Sequence, residues 1–513
     1  MKGSSIEDLL KFSKSRDRHL TPFFAGREDV VANIEDACGS VAFSELDEYS
    51  AWSSREGASI VIQGAPGAGK TSLLRFLERT WRRRAESGEP APVPAAIPIH
   101  ALERFETLAQ AIESSLPRSL GGRATEIVRG IRSMSFLGSG VSFDRNSLPS
   151  PERLRFPPDR AITLMIDEAQ NLDLSSKNTP QAKILQWLHQ GNHGLPLLPL
   201  LAGLANLESR LEMAGLSRIS ADAAHTLGSL TREEALRSAC LFFEYFGIPP
   251  SSLHDIWSNA LYELSEGWPL HLHHGFRALA GCLAKAERRL DSIDADAFML
   301  EEAKQRAAYS DARTREIPIQ LVARVLELVG PSGTRDQFID TIESEHKKFR
   351  GSHAFQIPEG LSAKGFFEEL VGKGILQRAY SHRYGTPVPS LGNYIAAYSG
   401  SSLHLDALRG DARIVKYALK QGEDPKVADI RGRTPLHIAA ECGWTKVAET
   451  LLLAGADPEA LDKEGRRPRD LSPSRAHSIL YNLQPSSAGE PDERGRKPSS
   501  ALQDPADKQS FEK

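Results

Sequence analysis

One stretch limits the fold more than any other: VIQGAPGAGKTSLLRFL, residues 61–77. An apolar run ends in a glycine-rich bend, and the helical pattern TSLLRFLERTW begins directly after it. The bend GAPGAGKT fits G-x-x-x-x-G-K-[ST], with Gly64, Gly69, Lys70 and Thr71 in the fixed places. Glycines allow successive backbone amides to turn inward as an anion nest at a helix N-terminus, where the helix dipole also favours phosphate. The expected cradle is Gly64, Ala65, Pro66, Gly67, Ala68, Gly69, Lys70, Thr71 and Ser72. Lys70 would neutralise the β- and γ-phosphates of ATP, and the Thr71 hydroxyl would ligate Mg2+.

A second feature completes this chemistry. The apolar run AITLMIDEA ends in Asp167 and Glu168. Two adjacent carboxylates are costly inside a buried strand unless they have work at its tip. Asp167 is expected to hold the Mg2+ and its water shell, and Glu168 to face the attacking water as general base. The continuous apolar runs ASIVIQ, VPAAIPIH, AITLMIDEA and LPLLPLLAGL read as strands covered on both faces, hence a parallel α/β sheet. Between the second and third lie two helical stretches, LERFETLAQAIESSL and TEIVRGIRSM, then FLGSGVSF, read as a hairpin.

The remaining chain divides by pattern. Residues 1–20 read as a polar arm or short helix, and 21–230 as the α/β core. A helical lid follows over 231–316, opened by a capping box at Thr231 and Glu234. Over 317–399 three helices and a wing at YGTPVPSLGNYIAAY give a winged-helix reading. Residues 401–432 overlay 434–465 without a gap, aligning Leu403 with Leu436, His404 with His437 and Gly410 with Gly443. That period and TPLHIAA resemble the ankyrin family, placed at 400–475. Two units and a partial cap are few for a solenoid, so the array is expected to lean on the winged helix. Residues 476–513 read as a helix end and a polar tail.

The core residues resemble the AAA+ and STAND branch of P-loop ATPases, near the Orc/Cdc6-like and transposition-helper types. FFAGRED resembles the segment that borders the adenine, which implies roles for Gly26 and Arg27. LLPLLAGLANLESRL resembles the sensor 1 strand, with Leu204 where relatives place a polar residue and Asn206 as the polar candidate. Arg218 stands where relatives carry an arginine finger, with Arg210 competing. SEGWPLHLH resembles the lid motif around Pro269, with Leu270 where many relatives have arginine. The resemblance thus implies an α/β P-loop NTPase with an AAA+-like parallel sheet, a helical lid, a winged helix and all-α ankyrin repeats.

Composition excludes more than it selects. Lys and Arg number 63 against 67 Asp and Glu, a net charge of -4, so DNA binding would need a local patch. Lys364, Lys373, Arg378, His382 and Arg383 offer one, opposed by Glu368 and Glu369. Cys38, Cys240, Cys282 and Cys442 lack any CxxC pairing and read as reduced thiols. His271, His273 and His274 read as a histidine-rich helix face rather than a metal cluster. No window reaches 18 apolar residues, so a cytoplasmic protein without membrane contact is expected. The leading expectation is an ATP-binding and ATP-hydrolysing switch, in a bacterial signalling or defence system. Its ankyrin repeats take a protein partner, and it forms a nucleotide-dependent homo-oligomer. The alternatives are an ATP-dependent DNA-binding protein and an inactive nucleotide-binding scaffold.

Overall fold

The computed structural model describes residues 5–15, 23–42, 59–97, 111–112, 115, 161–190, 197–216, 219, 223–350, 352–378 and 383–471. Outside these lie most of both helical stretches expected between the second and third strands, the hairpin at 136–143, Arg218, His382 and the tail.

Helix α1 (Ile6–Lys14) precedes α2 (Glu28–Ala42) and β1 (Ile60–Gln63), which feeds α3 (Lys70–Glu86) through the glycine loop. Then come β2 (Val93–Ile97), β3 (Ile162–Ile166), α4 (Pro180–Gln190), β4 (Leu197–Gly203), α5 (Leu207–Met213) and β5 (Ala224–Thr226). The five strands form one parallel sheet in the order β2-β3-β4-β1-β5. β1, β3 and β4 are buried at every position, which explains why they read as unbroken apolar runs rather than alternating ones. β4 lies between β1 and β3, and the registers Gln63 to Gly203 and Ile166 to Leu201 bring all three C-terminal ends to one edge. This order, with the glycine loop leaving a central strand, is the P-loop ATPase fold.

The lid is α6 (Arg232–Tyr245), α7 (Leu253–Ser265), α8 (Pro269–Lys285) and α9 (Ala295–Thr314). The Thr231 and Glu234 capping box forms, a device worth about 1 kcal/mol at a helix start. Phe23, Phe242, Phe246 and Phe276 fill the lid interior. The N-terminal helix belongs to this layer rather than standing free. Phe12 sits edge-on to Phe23 at 5.4 Å, and Arg277 Nη2 donates to the Ser13 carbonyl at 3.0 Å.

Three helices follow: α10 (Ile319–Val329), α11 (Arg335–Lys348) and α12 (Ala363–Gly372). A short antiparallel pair, β6 (Gln377–Arg378) and β7 (Tyr384–Gly385), comes next. The wing expected over YGTPVPSLGNYIAAY is corrected: only Tyr384 and Gly385 are strand, and Pro389–Tyr398 is helix α13. Pro389 at its first turn costs no hydrogen bond there, and Leu391 and Ile395 repeat at helical spacing into the core. The side chains of this unit, Phe338, Phe366, Phe367 and Ile375, share one core cluster with Leu73, Leu77 and Leu200 of the sheet layer.

The ankyrin helices are α14 (Ser402–Arg409), α15 (Ala412–Lys420), α16 (Pro435–Cys442) and α17 (Thr445–Leu453). Their histidines are structural. His404 Nδ1 accepts from the Ser401 amide at 3.0 Å and its Nε2 donates to the Arg433 carbonyl at 2.9 Å. His437 repeats this with Thr434 at 3.1 Å and Arg466 at 3.1 Å, so each histidine fastens its repeat to the next. Trp444 is packing: its ring lies where a Cβ on Gly410 would stand 2.6 Å away, and its Nε1 donates to the Leu408 carbonyl at 3.3 Å. The array leans on α13, as expected, and also on α9. Arg431 Nη1 donates to Asn393 Oδ1 at 3.0 Å, and Arg409 pairs with Asp311 at 3.2 Å. Among the described residues, no helix is long and apolar enough to cross a membrane.

Glu302, on α9, is a fully buried carboxyl in the lid. Burial pushes its carboxyl up to about 7, against the pull of Arg306, whose Nε lies 3.0 Å away. Since this folded value exceeds the ordinary 4.5, its contribution to stability is complete below about pH 4.5 and is lost as pH rises through 7. Glu302→Gln keeps the shape and removes that loss, an effect of about 3 kcal/mol at most. Thermal unfolding should show a Tm several degrees higher than wild type at pH 8 and nearly equal at pH 4.5. An unchanged Tm at pH 8 would contradict the assignment.

Candidate functional site

The glycine loop closes as its sequence demands. Gly67 and Gly69 hold φ of 94° and 93°, in the left-handed region that L side chains avoid. A Cβ on Gly64 would stand 2.7 Å from the Leu227 carbonyl, so the strand end needs glycine for close approach. Lys70, Thr71 and Ser72 open α3, and their amides have no carbonyl of their own helix to bond. Ala65 and Ala68 are buried, and the Ala68 amide donates to the Ala65 carbonyl at 3.1 Å.

Lys70 is buried. Its ammonium donates to the carbonyls of Gly64 at 2.8 Å and Ala65 at 3.2 Å. Burial lowers its pKa to about 8, against the attraction of Glu168 and Asp167. Asp167, at the tip of β3, is raised by burial although the Thr71 hydroxyl bonds it. The paired loop hydroxyl and strand carboxylate are hard oxygen donors of the kind Mg2+ takes. A buried lysine held by carbonyls of its own loop fits an anion such as a nucleotide phosphate chain. The donor set therefore suits Mg2+ and a triphosphate.

Glu168 turns out of the strand at φ 51° and is held by Gln170, whose Nε2 donates to its Oε2. Gln170 Oε1 in turn accepts from the Leu204 amide at 3.2 Å. This orienting residue was present in the quoted run's continuation, IDEAQ, but nothing in the sequence tied it to the end of β4.

Other expected residues fall differently. Arg210 donates to the carbonyls of Gln170 and Leu172, so it braces the turn after β3 and is not a free finger. Asn206 precedes α5, and its Oδ1 is buried without a hydrogen-bond partner among the described residues. A Cβ on Gly372 would lie 4.0 Å from its Nδ2, which places Asn206 beside α12. Gly26 holds φ 90°, where a Cβ would meet Glu234 Oε1 at 2.5 Å. The Arg27 amide donates to Glu234 Oε1 at 2.6 Å and its Nη2 to the Gly228 carbonyl, so this segment clamps core to lid. His271, His273 and His274 are buried in α8. Burial holds His271 well below the usual imidazole value, and no metal cluster exists among the described residues.

What sequence reading missed is how thoroughly other layers touch the loop. The Leu270 amide donates to the Gly67 carbonyl at 3.1 Å. Pro269 lies 3.4 Å from where a Gly69 Cβ would stand, and Trp268 Nε1 lies 2.8 Å from that of Gly67. Tyr309 OH donates to the Pro66 carbonyl at 2.7 Å. The Ala65 amide donates to Gln377 Oε1 at 2.7 Å, and Gln377 Nε2 donates to the Leu227 carbonyl at 2.9 Å. A Cβ on Gly374 would stand 2.4 Å from Pro66 Cδ. Lid and three-helix unit thus both grip one loop.

Fold and site define a P-loop ATPase-type core joined to a repeat array. Residues 399–471 match the family described as Ankyrin repeats (3 copies), and this segment is an ankyrin array. No curated protein matches the chain. Among solved structures, the Walker-type ATPase of Pyrococcus abyssi is 16% identical with a TM-score of 0.38, over 72% of this chain and 96% of that one. The Aeropyrum pernix ORC2 protein is 12% identical with a TM-score of 0.39, over 75% and 96%. The Aeropyrum pernix ORC1 protein, solved in complex with DNA, is 14% identical with a TM-score of 0.35, over 75% and 95%. At these scores the likenesses carry no argument, and the fold assignment rests on strand order and the loop.

Proposed function

We propose that the chain is an ATP-binding, Mg2+-dependent ATPase that works as a switch. Nucleotide state biases how the lid and the three-helix unit, read as a winged helix, sit on the core. The ankyrin array presents the result to a protein partner. One observation carries this reading: the phosphate loop is hydrogen-bonded directly by the lid through Leu270 and Tyr309, and by the hairpin through Gln377. Any shift of the loop on binding phosphate is therefore felt in both layers. The ankyrin array packs on α9 and α13, which gives the shift a path to the partner surface. A ligand moves such an equilibrium only by its differential affinity for the two states, typically about 1–3 kcal/mol.

A bound ATP would supply the transferable phosphoryl group and Mg2+ the charge that neutralises it. On the protein side, Lys70, Thr71 and Asp167 would bind and orient the two, and Glu168 would take the proton of the attacking water.

The charges of the three-helix unit favour a protein partner over DNA. Lys373 pairs with Glu369 at 3.2 Å and donates to the Arg315 carbonyl. Arg378 pairs with Glu208 at 3.5 Å, and Arg383 donates to Ser332. Cations engaged within the fold are poorly free for phosphates. The exposed apolar residues Ile414, Tyr417, Leu452 and Leu453 lie on the ankyrin helices instead.

Sizing chromatography with identification of co-eluting protein, run in ATP, in ADP and with Lys70→Ala, tests the switch. A nucleotide-dependent difference that the variant abolishes is expected. Identical elution and identical partners in all three would reject it.

A further inference from the structure

We propose that Arg313, in the last turn of α9, is the lid's contact to the terminal phosphate of the bound nucleotide. This rests on the nucleotide-site reading above and deepens it by naming the residue that tells ATP from ADP.

The placement of α9 makes the argument. Tyr309 OH donates to the Pro66 carbonyl at 2.7 Å, which fixes one turn of the helix on the phosphate loop. Arg313 follows one turn later, with its Cζ 5.6 Å from the centre of the Tyr309 ring. Tyr309 is itself packed edge-on to His271 at 5.0 Å. The guanidinium therefore cannot swing far without giving up that ring face.

Its own bonding is incomplete. Arg313 Nε is buried and has no hydrogen-bond partner among the described residues. A buried donor left unmet is destabilising until a ligand supplies its acceptor. The other arginine of this helix differs: Arg306 pairs with Glu302 at 3.0 Å and donates to the Leu264 carbonyl at 3.1 Å.

Tyr309, one turn before Arg313, bonds the same loop that carries Lys70. Two cations brought near one point repel each other unless an anion lies between them. Lys70 approaches from the loop and Arg313 from the lid, so a phosphate chain on the loop would lie within reach of both. A guanidinium offers a planar fork that matches phosphate oxygens two at a time. The phosphate with most charge left over, after Lys70 and a metal on Thr71 and Asp167, is the terminal one, which ADP lacks. The sequence position expected to carry a lid arginine holds Leu270, whose amide bonds the Gly67 carbonyl instead. Arg313 reaches the site from a different helix.

Calorimetric titration with Mg-ATP and Mg-ADP on the full chain tests this, using wild type, Arg313→Gln, Arg313→Lys and Lys70→Ala. Arg313→Gln should weaken ATP by roughly tenfold or more, the scale of a lost charge-assisted pair, and leave ADP within about twofold. Arg313→Lys should fall between, since it keeps the charge and loses the fork. Lys70→Ala should weaken both nucleotides, which separates the loop's role from the lid's. If Arg313→Gln leaves the ratio of ATP to ADP affinity as in wild type, whether both fall or neither does, Arg313 only packs on Tyr309 and the proposal is overturned. If wild type takes up neither nucleotide, the nucleotide-site reading fails first. Should Arg313→Gln lose its thermal transition, Arg313→Lys decides alone: a ratio unchanged from wild type refutes the assignment.

Discussion

Lys70→Ala is expected to reduce ATP affinity by at least about a hundredfold while leaving the apo fold intact. The loss is large because the ammonium is buried, where its attraction for phosphate is weakly screened, and because it supplies charge-assisted hydrogen bonds. The fold should not suffer. Burial already lowers the Lys70 pKa to about 8, so the apo protein bears this charge at a cost, and its ammonium bonds only carbonyls of its own loop. Thermal unfolding without nucleotide should give a Tm equal to wild type or higher. Calorimetry with ATP should give little or no heat. Wild-type affinity in the variant would remove the basis of the nucleotide site.

Glu168→Gln should separate binding from turnover. The glutamine keeps the hydrogen-bonding shape beside Gln170 but cannot accept a proton, so phosphate release should fall by about a hundredfold or more with ATP affinity nearly unchanged. Asp167→Asn should differ by weakening Mg-dependent binding itself, since the carboxylate on the Thr71 hydroxyl loses its charge. A Glu168→Gln protein that releases phosphate at the wild-type rate would move the general base elsewhere. A wild type with no release at all would return the chain to the scaffold reading.

The candidate site residues were legible because each sits beside its own local signal. Gly64 to Thr71 carry their conformation in the glycines, and Asp167 and Glu168 stand out against the apolar strand that delivers them. The ankyrin period was legible for the same reason, since His404 and His437 recur with the turns that place them. Gln170 was visible in the same run but could not be assigned, because its partner Leu204 belongs to another strand. The boundary of the wing was misread because Tyr384 and Gly385 pair across a turn, and the helix after them was taken into the same unit. Arg210 was read as a competing finger because a sequence shows a charge but not the carbonyls of Gln170 and Leu172 that hold it.

The amino-acid sequence by itself determined the phosphate loop, its acidic counterpart, the parallel sheet and the repeats, because glycine φ angles, apolar runs and fixed spacings act over a few neighbouring residues. Only the tertiary structure decided that the loop is gripped from two sides. Pro66, Tyr309 and Gln377 have no sequence relation to one another, and their meeting depends on how separately folded layers bury their apolar faces. The same packing sets Arg313 against the Tyr309 ring and settles the histidines of α8 in the core. Local stereochemistry writes the site into the chain, whereas burial between distant elements chooses what leans on it.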